Sequence, residues 1–480
     1  MTDAEIVKFV NKLECEFPVN KWKLCGREVW PIIKMQLCVL LIKDSSNTHY
    51  AEKKIISHLS KFKKIVKYAT SLFTFSRTVP KSDILIYHHN FVRNIKFKDN
   101  TYFDCNLDPF TVCLENSYSV LHLDFVCNGK KIKNTFRKTN FVNREINTAI
   151  LKGYLKYLLA SKNVTLDQYA DFLLRIPKEV RYQFELKNIL KIMYKYDSLT
   201  KFYKRILKES GAYFVIARCG YVFDTISLFT ACDDLKVKSM EVQHGLAAGS
   251  NHSWYTKWEN LPENKYQSLP NIYWVWSNSD YETMKKWCGD KHTIIQGGKP
   301  FFQVINELKK YIEIPSISHN DSKKTIIVSL QPGVSYPSWL ISYILKKRCV
   351  YNWIIRPHPN LDHFQENVIR YLSKFNNIYI SSKNSVLEFE LSISDVHITN
   401  HSSVVLDAIS FGVPSIIINK NYEEMFSEEL RKGYALIASD EVELERSLTH
   451  YFEVRKTLFS NLAKPHFDIH CFGNYIKKML

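Results

Sequence analysis

The chain has little glycine, 14 in 480 residues, and lacks the glycine-rich loops of common nucleotide folds. Neither G-x-x-x-x-G-K-[ST] nor G-x-G-x-x-G occurs, which argues against a P-loop NTPase and an NAD-type site. No C-x-x-C pair occurs among the 11 cysteines. Scattered thiols in odd number point to a reducing compartment rather than a disulfide framework. The start, MTDAEIVKFV, lacks the basic and apolar blocks of a signal peptide. The longest apolar run near it, PIIKMQLCVLLI (31–42), is too short for a bilayer and contains Lys34. A cytoplasmic protein is therefore expected. Zinc-finger spacing, aromatic RNA-binding motifs and Arg-rich tails are also missing, so nucleic acid is not the expected partner.

What is present is a globular composition, 45% apolar and 24% charged, with 28 Tyr, 29 Phe and 9 Trp. That length suits at least two domains. Lys and Arg total 66 against 48 Asp and Glu, a net charge of +18. The excess suits a polyanion or an anionic membrane surface. Residues 1–80 read as helical and somewhat separate. Within them, 53–73 places Ile55, Leu59, Phe62, Val66 and Phe73 on one face, bordered by lysines. It is either a packed surface helix or a basic amphipathic helix on anionic lipid.

From residue 83 strands alternate with helical stretches: DILIYHH (83–89), YSVLHLDF (118–125), AYFVIA (212–217), VKSMEV (237–242), NIYWVWS (271–277) and HTIIQGG (292–298). A mainly helical region, 139–208, separates the second from the third. After a polar linker at 314–324 the alternation restarts at 325–330, 352–359, 377–380, 395–399, 414–419 and 434–438. Short apolar strands between helices imply parallel sheets with covered faces. Two such systems imply two doubly wound α/β domains facing each other, and ligands in such sheets bind outside the strands' carboxyl ends.

Several motifs fall at those ends. EVQHG (241–245) closes a strand on Gln243, His244 and a glycine that turns the backbone. IIRPHPN (354–360) holds Arg356 and His358 on an exit stiffened by two prolines. In TNHSSVVLDAISFGVPSIIIN (399–419), Ser402 and Ser403 precede a helix whose free N–H groups suit phosphate. Asp407 lies one turn further and suits ribose hydroxyls. SLQPG (329–333), with Gln331, and QGGKP (296–300) are turns that would approach phosphate by their backbone or serve only as turns. The loop after the first strand carries His88, His89, Arg93, Asp104 and Asp108. Its spacing matches no familiar metal site.

The pairing of EVQHG with RPHP and NHSSVVLDAISFGVPSII resembles bacterial surface-polysaccharide transferases, which include capsule and lipopolysaccharide Kdo transferases. CDP-glycerol glycerophosphotransferases share the C-terminal pattern, and bacterial sialyltransferases carry similar His-Pro and Ser-Ser motifs. The resemblance spans 83–460. It implies the GT-B architecture, two Rossmann-like domains across a cleft, here with an N-terminal helical extension: 1–80, then 81–313, then a nucleotide-sugar domain at 314–480. It further implies that Ser402, Ser403 and His358 hold the donor nucleotide and phosphates, with Gln331 beside them. Asp407 would hold the ribose, and Arg356 would offset phosphate charge. Gln243 and His244 would lie beside the transferred sugar, with Arg93 and Asp108 as further catalytic candidates. GT-B enzymes need no metal, and no D-x-D motif occurs, so neither metal nor cofactor is expected. The expected partners are a nucleotide-sugar donor, a glycan or lipid-linked glycan acceptor and the anionic inner membrane face. The alternatives are a CDP-glycerol-type polyol phosphate transferase and a non-catalytic nucleotide-sugar-binding protein.

Overall fold

The computed structural model describes residues 3–45, 78–90, 93, 95–126, 132–244, 257–311, 322–358, 361–382, 385–460 and 467–479. The 53–73 segment and most of the 314–324 linker lie outside them. The chain forms two compact units. The first comprises Met1–Arg93, Asp104–Gln303 and Phe467–Leu480, the second Asn94–Phe103 and Val304–His466.

Both units are built on wholly parallel sheets. In the first unit the strands are β1 (Ile84–His89), β2 (Val120–Phe125), β3 (Asn140–Phe141), β4 (Phe214–Ala217), β5 (Lys238–Val242), β6 (Ile272–Val275) and β7 (Thr293–Gln296). Their spatial order is β7-β6-β5-β4-β1-β2-β3. The second unit contains β8 (Thr325–Ser329), β9 (Asn352–Arg356), β10 (Ile378–Ile380), β11 (Val396–Thr399), β12 (Ser415–Ile417) and β13 (Ala435–Ile437), in the order β10-β9-β8-β11-β12-β13. Each order runs outward from its first strand in one direction and then reverses. The reversals fall between β1 and β4 and between β8 and β11, the doubly wound pattern. Every residue of β1, β4, β6, β8 and β11 is buried. That is why these strands read as apolar runs without alternation: both faces are covered.

Beyond β3 the region 139–208 is mainly helical, as expected, including Asn143–Leu159 and the long helix Leu186–Ser210. The latter ends on Gly211 at φ +78°, whose N–H closes onto Leu207 O at 2.9 Å.

The units differ from the expected division in three places. Of the extension expected at 1–80, the described residues 3–45 are not separate. Helices Asp3–Glu16 and Trp30–Ser45 share a core with Tyr169, Phe172, Ile189 and Met193, and Trp22 and Trp30 meet Phe172 edge to face. Lys34 lies fully inside this core. It pairs with Glu14 at 2.7 Å and donates to Lys257 O at 2.5 Å. The terminal helix Phe472–Met479 belongs to the first unit, because Phe472 packs on Phe110, Phe214 and Trp274. A hairpin pairing Ile95–Lys96 with Tyr102–Phe103 belongs to the second, where Phe97 stacks on Tyr311. Among the described residues no helix is long and apolar enough to cross a membrane.

Candidate functional sites at two sheet reversals

In the first unit three adjacent strands, β5, β4 and β1, bring polar groups to their carboxyl ends. His89 is the last residue of β1. Arg218, Cys219 and Gly220 follow β4, and His244 follows β5. The β4 exit is tight. Cys219 sits at φ +55°, a left-handed conformation uncommon outside glycine. A side chain at Gly220 would strike the Glu241 carboxylate, which instead accepts the Gly220 N–H at 2.7 Å. The ring of Tyr221 stacks on His244 with centroids 5.7 Å apart.

The charges of this cluster are mutually sustained. Burial works against a Cys219 thiolate, but hydrogen bonds from His244 and His89 and the charge of Arg218 outweigh it and hold the thiol well below its usual range. Burial likewise works against His244, and Cys219 and Glu241 raise it. His89 is pushed up to about 9, because Asp224 and Cys219 overcome its burial. Asp224 Oδ2 lies 2.9 Å from His89 Nε2 and accepts from Tyr87 Oη at 2.6 Å. The Cys219 thiol and the His244 imidazole are thus shifted in opposite directions, each favouring the charged form of the other. Gln243 is buried and braces this edge: its Oε1 accepts from Trp276 N at 2.7 Å. Cys219 and Glu241 are not among the residues the sequence pattern singled out. The available signal was ARCGYVFD (217–224), a second polar residue–glycine pair directly after a strand, like His244–Gly245.

Arg93 and Asp108 lie elsewhere, inside a sealed network, and the side chains of both are fully buried. Arg93 Nη1 meets Asp108 Oδ2 at 2.7 Å, and its Nε meets Asp124 Oδ2 at 3.3 Å. His88 Nδ1 meets Asp104 Oδ2 at 3.2 Å, and Arg218 Nη2 reaches the same oxygen at 3.3 Å. Neither candidate reaches solvent.

In the second unit the reversal between β8 and β11 gathers Gln331, Asn400, His401, Ser402 and Ser403. Gln331 Oε1 accepts the His401 N–H at 2.7 Å, fastening the turn after β11 to the one after β8. His401 stacks on Tyr422 at 4.0 Å. Burial lowers it to about 4, so it is neutral. Ser402 Oγ accepts from Val404 N at 3.3 Å. Ser403 occupies the N-cap position of the helix Val404–Ser410, but its hydroxyl does not cap it. With seven residues this helix has little dipole to offer an anion. Asp407 is buried on it. His358 is half-buried and held below its usual range by burial, and its N–H is fixed by Gln365 Oε1 at 2.7 Å. Arg356 is already paired, its Nη1 lying 2.5 Å from the fully buried Glu390 carboxylate. Its charge is therefore largely offset within the protein.

No protein-family model and no curated protein matches this sequence. Solved structures similar to the chain include the UDP-GlcNAc 2-epimerase of Neisseria meningitidis bound to UDP-GlcNAc (12% identity, TM-score 0.49, covering 82% of this chain and 98% of that one). Another is the Methanocaldococcus jannaschii UDP-GlcNAc 2-epimerase with UDP-GlcNAc and UDP (8%, 0.43, 82% and 98%). A third is a Streptomyces glycosyltransferase complexed with thymidine diphosphate (10%, 0.43, 82% and 99%).

Proposed function

We propose that this protein is a glycosyltransferase that moves a sugar from a nucleotide-sugar donor to a growing bacterial surface glycan. The observation that carries the reading is the polar turn fastened at the second unit's sheet reversal. A doubly wound parallel sheet offers its ligand site there, and Gln331 holds the 399–403 turn in place. In this reading the Ser402 and Ser403 hydroxyls and the neutral imidazole of His358 meet the donor phosphates as hydrogen-bond donors. Asp407 answers the ribose. The leaving phosphate needs no metal.

His244 serves the transfer step. Raised by Cys219 and Glu241 against its burial, it is suited to act as an acid or hydrogen-bond donor more than as a base. Gln243 positions the strand end that carries it. Arg93 and Asp108, sealed in their network, are given no contact with the substrate. The acceptor is a lipid-linked glycan approached at an anionic membrane face, which the net charge of +18 supports.

Calorimetric titration of the full chain with CMP, UDP, GDP and CDP tests the nucleotide half of the proposal. One of the four should bind, and Ser402→Ala with Ser403→Ala should weaken it. Failure of all four to bind the folded protein would remove the reading.

A further inference from the structure

We propose that the first unit holds a structural divalent metal of the zinc class, ligated by His88, Asp108 and His122. It would hold the fold and take no part in transfer, so the proposal stands apart from the glycosyltransferase reading.

The three side chains come from three elements. His88 lies on β1, His122 on the adjacent β2, and Asp108 opens the helix Asp108–Leu114 that connects them. All are buried, His88 and Asp108 completely and His122 at 4% exposure. One donor atom from each lies within 4.8 Å of the other two. His88 Nε2 stands 3.1 Å from His122 Nδ1 and 3.7 Å from Asp108 Oδ1. A tetrahedral zinc with bonds of about 2.0–2.1 Å places its ligand atoms about 3.3 Å apart. The two measured separations bracket that value.

The surroundings are those of a metal site. His88 Nδ1 faces the Asp104 carboxylate, which selects the tautomer that leaves Nε2 free to ligate. The second oxygen of Asp108 accepts from Arg93 Nη1 and from the Asp104 N–H, both at 2.7 Å. That fixes the carboxylate with Oδ1 turned toward the imidazoles.

An independent observation points to a cation. Asp108 Oδ1 is fully buried and has no hydrogen-bond partner. A proton shared between His88 and His122 does not serve it, because 3.7 Å is too long for a hydrogen bond. A divalent ion at the meeting point of the three ligands supplies the missing partner.

The test is the metal content of tag-free full-length protein made in zinc-supplemented medium, measured by inductively coupled plasma mass spectrometry. The expected value is about one ion per chain. His122→Gln and Asp108→Asn should lose it, and replacing exposed Cys15, Cys25, Cys349 and Cys471 with serine should not. Should either ligand variant fail to fold, wild-type protein stripped with a chelator and refilled with Co²⁺ gives a second measurement. Tetrahedral visible bands and a restored melting temperature are expected. Metal-free wild-type protein whose melting temperature ignores added Zn²⁺ and Co²⁺ would overturn the proposal, leaving water or a proton in the site. So would metal fully retained by folded His122→Gln, or refilled cobalt without tetrahedral bands.

Discussion

Gln331 and His401 are joined across the sheet reversal of the second unit, the side-chain oxygen of one accepting the backbone N–H of the other at 2.7 Å. Gln331 follows β8 and His401 follows β11, so one buried amide fixes the spacing of two strand exits. Gln331→Leu should leave the half-buried His401 N–H without its protein partner, at a cost of up to about 1–3 kcal/mol. Urea unfolding would show it. Nucleotide affinity should fall in parallel, because the 399–403 turn loses its anchor. A variant with lower stability and unchanged affinity would separate this turn from the binding site.

Ser402 and Ser403 do little for their own helix. Only Ser402 bonds a local N–H, at 3.3 Å, and Ser403 makes no capping bond. Changing both to alanine should therefore cost little stability while weakening nucleotide binding by about 1–3 kcal/mol, the range for hydrogen bonds to charged groups. Calorimetry on the folded double variant distinguishes the two effects.

Cys219 should behave as a thiolate far below the range of an ordinary cysteine. Its pKa is lowered, so the reactive form persists as pH falls below the ordinary thiol range, whereas burial and nearby carboxylates push the Cys15 thiol up. Iodoacetamide labelling located by peptide mass spectrometry should show a Cys219 pH profile displaced to the acid side. His244→Ala removes the principal charge sustaining the thiolate and should move the profile back toward alkaline pH. Coincident profiles for Cys219 in wild type and variant would contradict the pair.

The buried pair of Lys34 and Glu14, both side chains at zero exposure, gives a stability prediction. Glu14→Gln leaves an ammonium uncompensated inside an apolar core and should cost about 3–5 kcal/mol. Lys34→Met combined with Glu14→Leu should recover most of that loss, as measured by chemical unfolding.

Much of the fold was legible because its strands are covered on both faces. TIIVSL and AYFVIA read as continuous apolar runs for that reason, and the strands they form, Thr325–Ser329 and Phe214–Ala217, are buried at every residue. The His244 position was legible too, since a strand that stops on Gln-His-Gly signals a turn. The Cys219 cluster was not, because His89, Cys219 and His244 come from three strands far apart in sequence that only the sheet order makes neighbours. Arg356 illustrates the opposite failure. Its motif suggested a free cation for phosphate, but its partner Glu390 belongs to a helix thirty-four residues on, a contact that no local pattern reveals. The separateness expected of residues 1–80 does not hold for the described residues 3–45, because their aromatic and aliphatic face finds its partners from residue 169 onward.

The most direct test of the account is single-turnover release of nucleotide from the nucleotide sugar whose nucleotide binds, with wild type and His244→Ala side by side. The variant should keep its fold and its nucleotide affinity while turnover falls by about 10²–10⁴-fold, the usual loss for an acid–base group. His358→Ala should instead weaken binding as well. A stable His244→Ala protein that releases nucleotide at the wild-type rate would contradict the account.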